Sequence, residues 1–244
     1  MEHLTGLILA AGKGTRMESE LPKVLHRCMG KPMVCHVIEA AREAGADRIV
    51  VIAGYKSEEV HAELGDSVLY AEQTEQLGTG HAVLCAKEQL GTEGSTMVLC
   101  GDTPLISART LRQLADAHEK AGNGVTVLSA ILEDPKGYGR IIRDAEGHFL
   151  KITEDKDCTP EEKEVCEINS GMYLFDTAML RDSLGKLTND NAQGEYYLTD
   201  TIELIKAAGG RVDAMPVEDV TEILGVNTKE QLKTAEQIMK EKKA

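Results

Sequence analysis

The run Leu9-Ala10-Ala11-Gly12-Lys13-Gly14-Thr15-Arg16-Met17, followed by Pro22 and Lys23, is a place where residue types and spacing could do chemistry. Successive backbone N–H groups in a glycine-rich turn form a concavity that binds anions. Small residues let the main chain approach a phosphate closely. Arg16 and Lys23 would add positive charge at a transferring phosphoryl group. The same turn also reads as a tight strand-to-helix connection with solvated basic side chains. It is not a dinucleotide fingerprint, since G-x-G-x-x-G would need Gly where Met17 stands. A Walker A loop, G-x-x-x-x-G-K-[ST], is absent as well.

Three further sets of residues stand out. Asp102, in Leu99-Cys100-Gly101-Asp102-Thr103-Pro104, puts a carboxylate at the end of an apolar run. Beside a phosphate loop it could hold Mg²⁺, which takes one or two protein oxygens plus phosphates and water. Asp before a Thr-Pro turn is also ordinary turn chemistry. Gln73 and Gln76 carry amides that both donate and accept, so they could read a pyrimidine edge. Gly78 and Gly80 permit close backbone approach nearby, although Thr79 would equally cap a polar loop into the next helix. His81 reads as a structural histidine at a helix start rather than a base. Gly139, Glu154, Asn169 and Asn227 each sit at the edge of an apolar run, where the residues alone favour a structural role over a functional one. Signatures for nucleophilic hydrolases, zinc proteases and EF-hands are missing.

Composition narrows the class. The chain has 244 residues, 42% of them hydrophobic, enough for a sizeable core in one large domain or two small ones. Aromatics make up only 3%, so aliphatic side chains and Met must fill the interior. The formal net charge of −14 argues against gripping a nucleic-acid backbone, which needs a basic face. A small basic pocket for one phosphate ligand is still compatible with it. No segment has the apolar length of a membrane span, and residues 1–5 show no signal pattern. Six cysteines without a C-x-x-C pair argue against zinc or a disulfide framework. The expectation is a soluble, cytoplasmic protein with neither nucleic-acid nor membrane partners.

The elements that would position these residues follow from periodicity. Short apolar runs at 4–10, 48–53, 67–71 and 96–100 read as strands. Helical spacing at 32–44, 57–64, 79–90 and 107–120 alternates with them. Such alternation implies βαβ units and a mostly parallel sheet. Ligands of such sheets lie beyond the strand carboxyl ends where strand order reverses. The polar turns at 12–16 and 101–103 are therefore expected to flank the site. Later runs at 124–132, 149–153, 168–175 and 211–217 read as strands, with a Gly-punctuated turn at 137–140 and a polar insertion at 155–164. Residues 199–208 and 229–242 read as helices.

The run from Leu9 to Leu25 resembles the signature of sugar-phosphate nucleotidyltransferases, L-A-A-G-x-G-T-R-M then P-K. Residues 73–81, with E-Q-L-G-T-G-H at their end, 137–141 (G-Y-G-R-I) and 189–200 (N-D-N-A-Q-G-E-Y-Y-L-T-D) narrow the match. Together they resemble the uridyltransferase domain of the bifunctional N-acetylglucosamine-1-phosphate uridyltransferase/glucosamine-1-phosphate acetyltransferase family. The resemblance implies an α/β fold with a Rossmann-like, mostly parallel mixed sheet flanked by helices, of the nucleotide-diphospho-sugar transferase type. It implies a nucleotidyltransferase domain at 1–228, with a nucleotide-binding half at about 1–122 and a sugar-phosphate half at about 123–228, then a linker helix at 229–244. The activity implied is transfer of UMP from UTP to N-acetyl-α-D-glucosamine 1-phosphate, giving UDP-N-acetylglucosamine and pyrophosphate for cell-wall precursors.

By the same resemblance, Leu9, Ala10, Ala11, Gly12 and Lys23 hold the nucleotide, and Arg16 faces the triphosphate as Lys23's catalytic partner. Gln73, Gly78 and Thr79 match the uracil-binding positions. Asp102 and Asn227 match the ligands of Mg²⁺. Cys100, Gly101, Gly139, Glu154 and Asn169 match sugar-phosphate positions, with Asp102 and Asn227 shared. Cys100 departs from relatives that carry Tyr there, a change that main-chain contacts would survive. The family normally continues into a hexapeptide-repeat acetyltransferase domain. That domain is not in this sequence, so acetyl transfer is expected to be missing and trimerisation is left in doubt. Transfer to another sugar 1-phosphate, and a non-catalytic nucleotide-binding module, are the competing readings.

Overall fold

The computed structural model describes residues 3–243. Met1 and Glu2, in the N-terminal stretch searched for a signal pattern, and Ala244, at the end of the expected linker helix, lie outside the described residues. The chain runs β1 (Leu4–Leu9), β2 (Arg27–Cys28), β3 (Lys31–Pro32), α1 (Met33–Glu43), β4 (Arg48–Ala53), α2 (Ser57–Leu64), β5 (Leu69–Glu72), α3 (Thr79–Cys85), β6 (Ser95–Cys100) and α4 (Ala108–Ala121). It continues with β7 (Asn123–Ile131), β8 (Arg140–Arg143), β9 (Phe149–Thr153), α5 (Pro160–Lys163), β10 (Glu167–Asp176), α6 (Thr177–Leu184), α7 (Asp200–Ala207), β11 (Arg211–Pro216) and α8 (Lys229–Lys243).

Among the described residues the main sheet has the order β11-β7-β10-β6-β1-β4-β5, with β8 and β9 attached beside β10. β5, β4, β1 and β6 are parallel neighbours. β10 runs antiparallel between β6 and β7, and β11 is again parallel to β7. This is the mixed, largely parallel α/β sheet flanked by helices that the element pattern implies. Because side chains alternate across a strand, each central strand feeds two cores. Ile8, Val51, Leu99 and Leu174 face one core with Val37 and Ile38 of α1 and Leu111 of α4. Leu7, Val50, Val98 and Phe175 face the other with Val83 of α3, Leu180 of α6 and Ile202 of α7. Both faces being covered explains why these strands are near-continuous apolar runs.

A third, smaller cluster seats α8. Cys28, Met33, Leu105, Val226 and Ala235 pack together, with Leu232, Ile238 and Met239 against them. The helix that ends the chain is thus docked on the β2–β3 hairpin. Several departures from the periodic reading are local, beside the β2–β3 hairpin and the short α5 that it does not contain. The expected helix over 79–90 stops at Cys85 and finishes as a separate 3-10 turn, Lys87–Gln89. The glycine-punctuated turn at 137–140 opens directly into β8. α6 was not foreseen. It starts without an intervening loop, and Asp176, the last residue of β10, caps it by accepting from the Met179 N–H at 2.9 Å. Among the described residues no helix is long and apolar enough to cross a membrane.

α4 carries a buried titratable group. His118 is 5% exposed, and its Nδ1 lies 3.0 Å from the Thr126 hydroxyl of β7. Burial holds its pKa down at about 4 from 6.5, against smaller upward pulls from Asp176 and Glu119. The folded state then binds fewer protons than the unfolded chain between these two values, so stability rises with pH across that window. We expect unfolding free energy to fall as pH drops from 6.5 to 4, by up to about 3 kcal/mol from this residue. Denaturant unfolding of His118→Gln should show a flatter profile over that range, and parallel profiles for the two proteins would refute the assignment.

Candidate functional site

β1 and β6 are adjacent and parallel, with Leu9 opposite Cys100 at their carboxyl ends. The chain leaves β1 toward β4 on one side, while β6 lies on the other, so strand order reverses here. The two polar turns are stitched together at this point. The Gly101 N–H donates to the Leu9 carbonyl at 3.0 Å. A Cβ on Gly101 would lie 2.8 Å from that oxygen, which is why the approach needs glycine.

A cleft of about 330 Å³ opens over these ends. Its walls include Leu9, Ala10, Ala11, Gly12, Lys23, Gln73, Gly78, Thr79, Cys100 and Asp102 from the sequence reading. Gln76, singled out beside Gln73, also lines it, as do Val24, Ala82 and Glu195. Val24 and Ala82 carry no sequence signal beyond being apolar. Glu195 lies within the 189–200 motif and could have been singled out from it.

One cationic atom organises the mouth of the cleft. The Lys23 ammonium donates to both the Asp102 carboxylate and, at 2.9 Å, the Asn227 Oδ1. Arg16 donates to the same Asn227 oxygen at 2.9 Å. Lys23 and Asp102 are mostly sheltered, with side-chain exposures of 16% and 18%. The backbone supports this meeting: the Val226 N–H donates to the Asp102 carbonyl at 2.9 Å. On the far side, Gln231 of α8 accepts from the Asn227 N–H at 2.7 Å and the Thr228 N–H at 3.1 Å. The docked helix thereby holds Asn227 in place.

Gly139, Glu154 and Asn169 meet beside the cleft rather than in its walls. The Asn169 N–H donates to the Gly139 carbonyl at 2.8 Å. A Cβ on Gly139 would lie 3.4 Å from Glu154 Oε2. Asn169 is buried; its Nδ2 donates to the Tyr173 hydroxyl at 2.7 Å and its Oδ1 accepts from the Gly171 N–H at 3.0 Å. Gly171 in turn touches the Cys100 sulfur, whose thiol lies 3.5 Å from the Gly171 carbonyl. Burial, with the neighbouring negative charges of Asp157, Asp200 and Asp155, pushes the Glu154 carboxyl up, against a 2.9 Å bond from Thr199.

Burial chiefly, and Asp102 next, push the Cys100 thiol up to about 12. The Gln73 carboxamide is held by its nitrogen: Nε2 donates to the Gly78 carbonyl at 3.0 Å and lies 3.2 Å from His81 Nδ1. Its oxygen takes no hydrogen bond among the described residues and is not sealed in the interior, so Gln73 offers an acceptor to the cleft.

A glycine-rich turn, a sheltered cation-carboxylate pair and a buried amide at the switch point of a largely parallel sheet fit a nucleotide-handling α/β transferase. The model of the MobA-like NTP transferase domain matches residues 6–193, and the chain belongs to that family of nucleotidyltransferases. Particular relatives are the Bifunctional protein GlmU of Caldanaerobacter subterraneus subsp. tengcongensis, 55% identical over 240 residues, and that of Thermoanaerobacter pseudethanolicus, 52% identical over 242. These matches cover 98% and 99% of this chain, and 52% and 53% of the relatives. GlmU of Heliobacterium modesticaldum is 49% identical over 243 residues, again 99% of this chain and 53% of the relative. The chain spans about half the length of the curated relatives it matches. The matches agree with the uridyltransferase-domain resemblance carried by its motifs.

Gly14 tests the geometry of the first turn. It sits at φ +60°, and a Cβ there would run into the Lys23 side chain. We expect Gly14→Ala to cost about 1–2 kcal/mol for the left-handed backbone alone and to weaken nucleotide binding by displacing Lys23. Thermal unfolding and nucleotide titration would check this; a variant that matches the parent in both would rule the contact out.

Proposed function

We propose that the chain transfers UMP from UTP to N-acetyl-α-D-glucosamine 1-phosphate, giving UDP-N-acetylglucosamine and pyrophosphate for cell-wall precursor synthesis. The observation that carries the reading is the convergence of Arg16 and Asn227 on Lys23 and Asp102, which line a cleft that Gln73 also lines. Uracil presents N3–H as a donor, whereas cytosine N3 only accepts, so an acceptor in the wall suits uracil. The bifunctional name of the relatives is in keeping with the family that the motifs resemble.

Asp102 and Asn227 direct two hard oxygens toward one cationic atom, a donor set that fits Mg²⁺ completed by phosphate and water. Bound there, Mg²⁺ would supply Lewis-acid neutralisation of phosphate charge. In this reading the Gly12–Arg16 turn receives the triphosphate through backbone N–H groups. Lys23 and Arg16 offset charge on the triphosphate and on departing pyrophosphate. Gly139, Glu154 and Asn169 take the sugar phosphate beside the cleft. The attacking phosphate oxygen is already anionic at neutral pH, so no general base is required. In this reading that oxygen attacks the α-phosphorus directly, in line, as pyrophosphate leaves. Rate enhancement then rests on positioning and charge stabilisation. A cytosolic setting belongs to the proposal, supported by the six free cysteines.

Pyrophosphate release from UTP and N-acetylglucosamine 1-phosphate, with and without Mg²⁺, is the direct test, extended to other nucleoside triphosphates and sugar phosphates. The expected result is Mg²⁺-dependent release that is greatest with this pair. Release with no preference for uridine or for the N-acetylated sugar would overturn the assignment. Asp102→Ala should lower kcat by at least about 100-fold, the scale of losing one key electrostatic contact, with the fold intact by circular dichroism. Near-parental turnover would remove Asp102 from the metal role.

A further inference from the structure

Gln73 is 4% exposed, and its main chain is pinned by a 2.8 Å bond from its N–H to the Ala53 carbonyl. What it shows to the cleft is decided by which way its amide is turned. A primary amide nitrogen carries two protons and no usable lone pair. One proton goes to the Gly78 carbonyl, which can only accept. The other points at His81 Nδ1, 3.2 Å away. For that contact to be a hydrogen bond, the ring nitrogen has to be the acceptor. A neutral imidazole with a bare Nδ1 carries its proton on Nε2. His81 Nε2 lies 3.8 Å from the Cys85 sulfur, one turn further along α3. Burial pushes the Cys85 thiol up, so the sulfur is neutral and can accept. The Tyr196 ring lies against the imidazole at 6.3 Å between centroids, tilted by 37°.

We propose that His81 is a positioning residue for nucleobase selection: its bare Nδ1 holds the second amide proton of Gln73, leaving only the carboxamide oxygen to meet the base. The proposal rests on the reading of Gln73 as the base contact. Turning the amide over would set its oxygen against the Gly78 carbonyl and, in this tautomer, against a second acceptor, His81 Nδ1. With His81 in place the cleft accepts an N–H edge such as uracil N3 and repels the bare N3 of cytosine. Without it, one of the two barriers to the turned amide is gone, and an amide proton becomes available to cytosine. His81 touches neither base nor phosphate in this scheme; it acts through Gln73.

The test is calorimetric titration of the whole chain with UTP and with CTP, in the parent and in His81→Phe, His81→Asn and Gln73→Ala. Phe keeps the ring volume and removes the acceptor, whereas Asn places an amide oxygen near the Nδ1 position. His81→Phe should weaken UTP binding about fivefold, the scale of one neutral hydrogen bond, while CTP binding holds or improves. The UTP:CTP preference should shrink accordingly, KM for UTP should rise with kcat retained, and His81→Asn should restore the preference. If His81→Phe leaves the preference unchanged while Gln73→Ala abolishes it, His81 has no part in selection and the proposal fails alone. Equal losses for both nucleotides in His81→Phe, with a lowered melting temperature, would show a merely structural histidine and also overturn it. An unchanged preference in Gln73→Ala would overturn the base-contact reading, and this proposal with it.

Discussion

The architecture of the site depends on one ammonium group. Lys23 is shared by oxygens that lie 79 and 204 residues further along the chain, on Asp102 and Asn227. A partly desolvated charge is costly unless it is paired, and removing one partner leaves the others uncompensated. The three segments are therefore held in register by electrostatics as well as by packing. Main-chain bonds stiffen the arrangement: Gly101 to Leu9, Val226 to Asp102, and the Gln231 side chain to the N–H groups before α8. α8 buries Ala235 and leans Leu232, Ile238 and Met239 on a cluster that includes Cys28 of β2, so its docking is part of how Asn227 is presented.

A second tie links the two sides of the site. The Gly80 N–H donates to the Tyr196 carbonyl, and the Tyr196 N–H to the Leu77 carbonyl, each at 2.8 Å. A few residues later Thr199 donates to Glu154. One short segment thus touches the loop that carries Gly78 and the carboxylate beside Gly139. Gly78, at φ +109°, and Gly80 allow this approach because a Cβ at either would lie within 3 Å of the Tyr196 carbonyl. The glycines of the L-G-T-G run serve the packing of that segment as much as any ligand.

Much of the fold was legible because burial on both faces leaves a strong signal. β1, β4 and β6 are mostly apolar, and α1 and α4 show clear periodicity with caps or stops at their ends. α6 was not legible, since its start coincides with the end of β10 and no turn residues separate them. α3 was overextended because Lys87–Gln89 continue the helical pattern while the backbone tightens. Asn227 stands out in the sequence only as a polar residue at the edge of an apolar run, and its role comes from resemblance; nothing in its immediate neighbours says that it will meet Lys23. His81 reads as structural in the sequence, since nothing local foretells its contact with Gln73.

The order of residue types along the chain decided the alternation of strands and helices, the glycine turn after β1 and the carboxylate after β6. These are local consequences of periodicity, backbone freedom and side-chain charge, and they need no partner to be read. Strand order, the insertion of an antiparallel β10, and the meeting of Lys23 with Asp102 and Asn227 were decided by tertiary structure alone. Each is a contact between segments distant along the chain, selected by the burial of both sheet faces and by the need of a sheltered charge for oxygen partners.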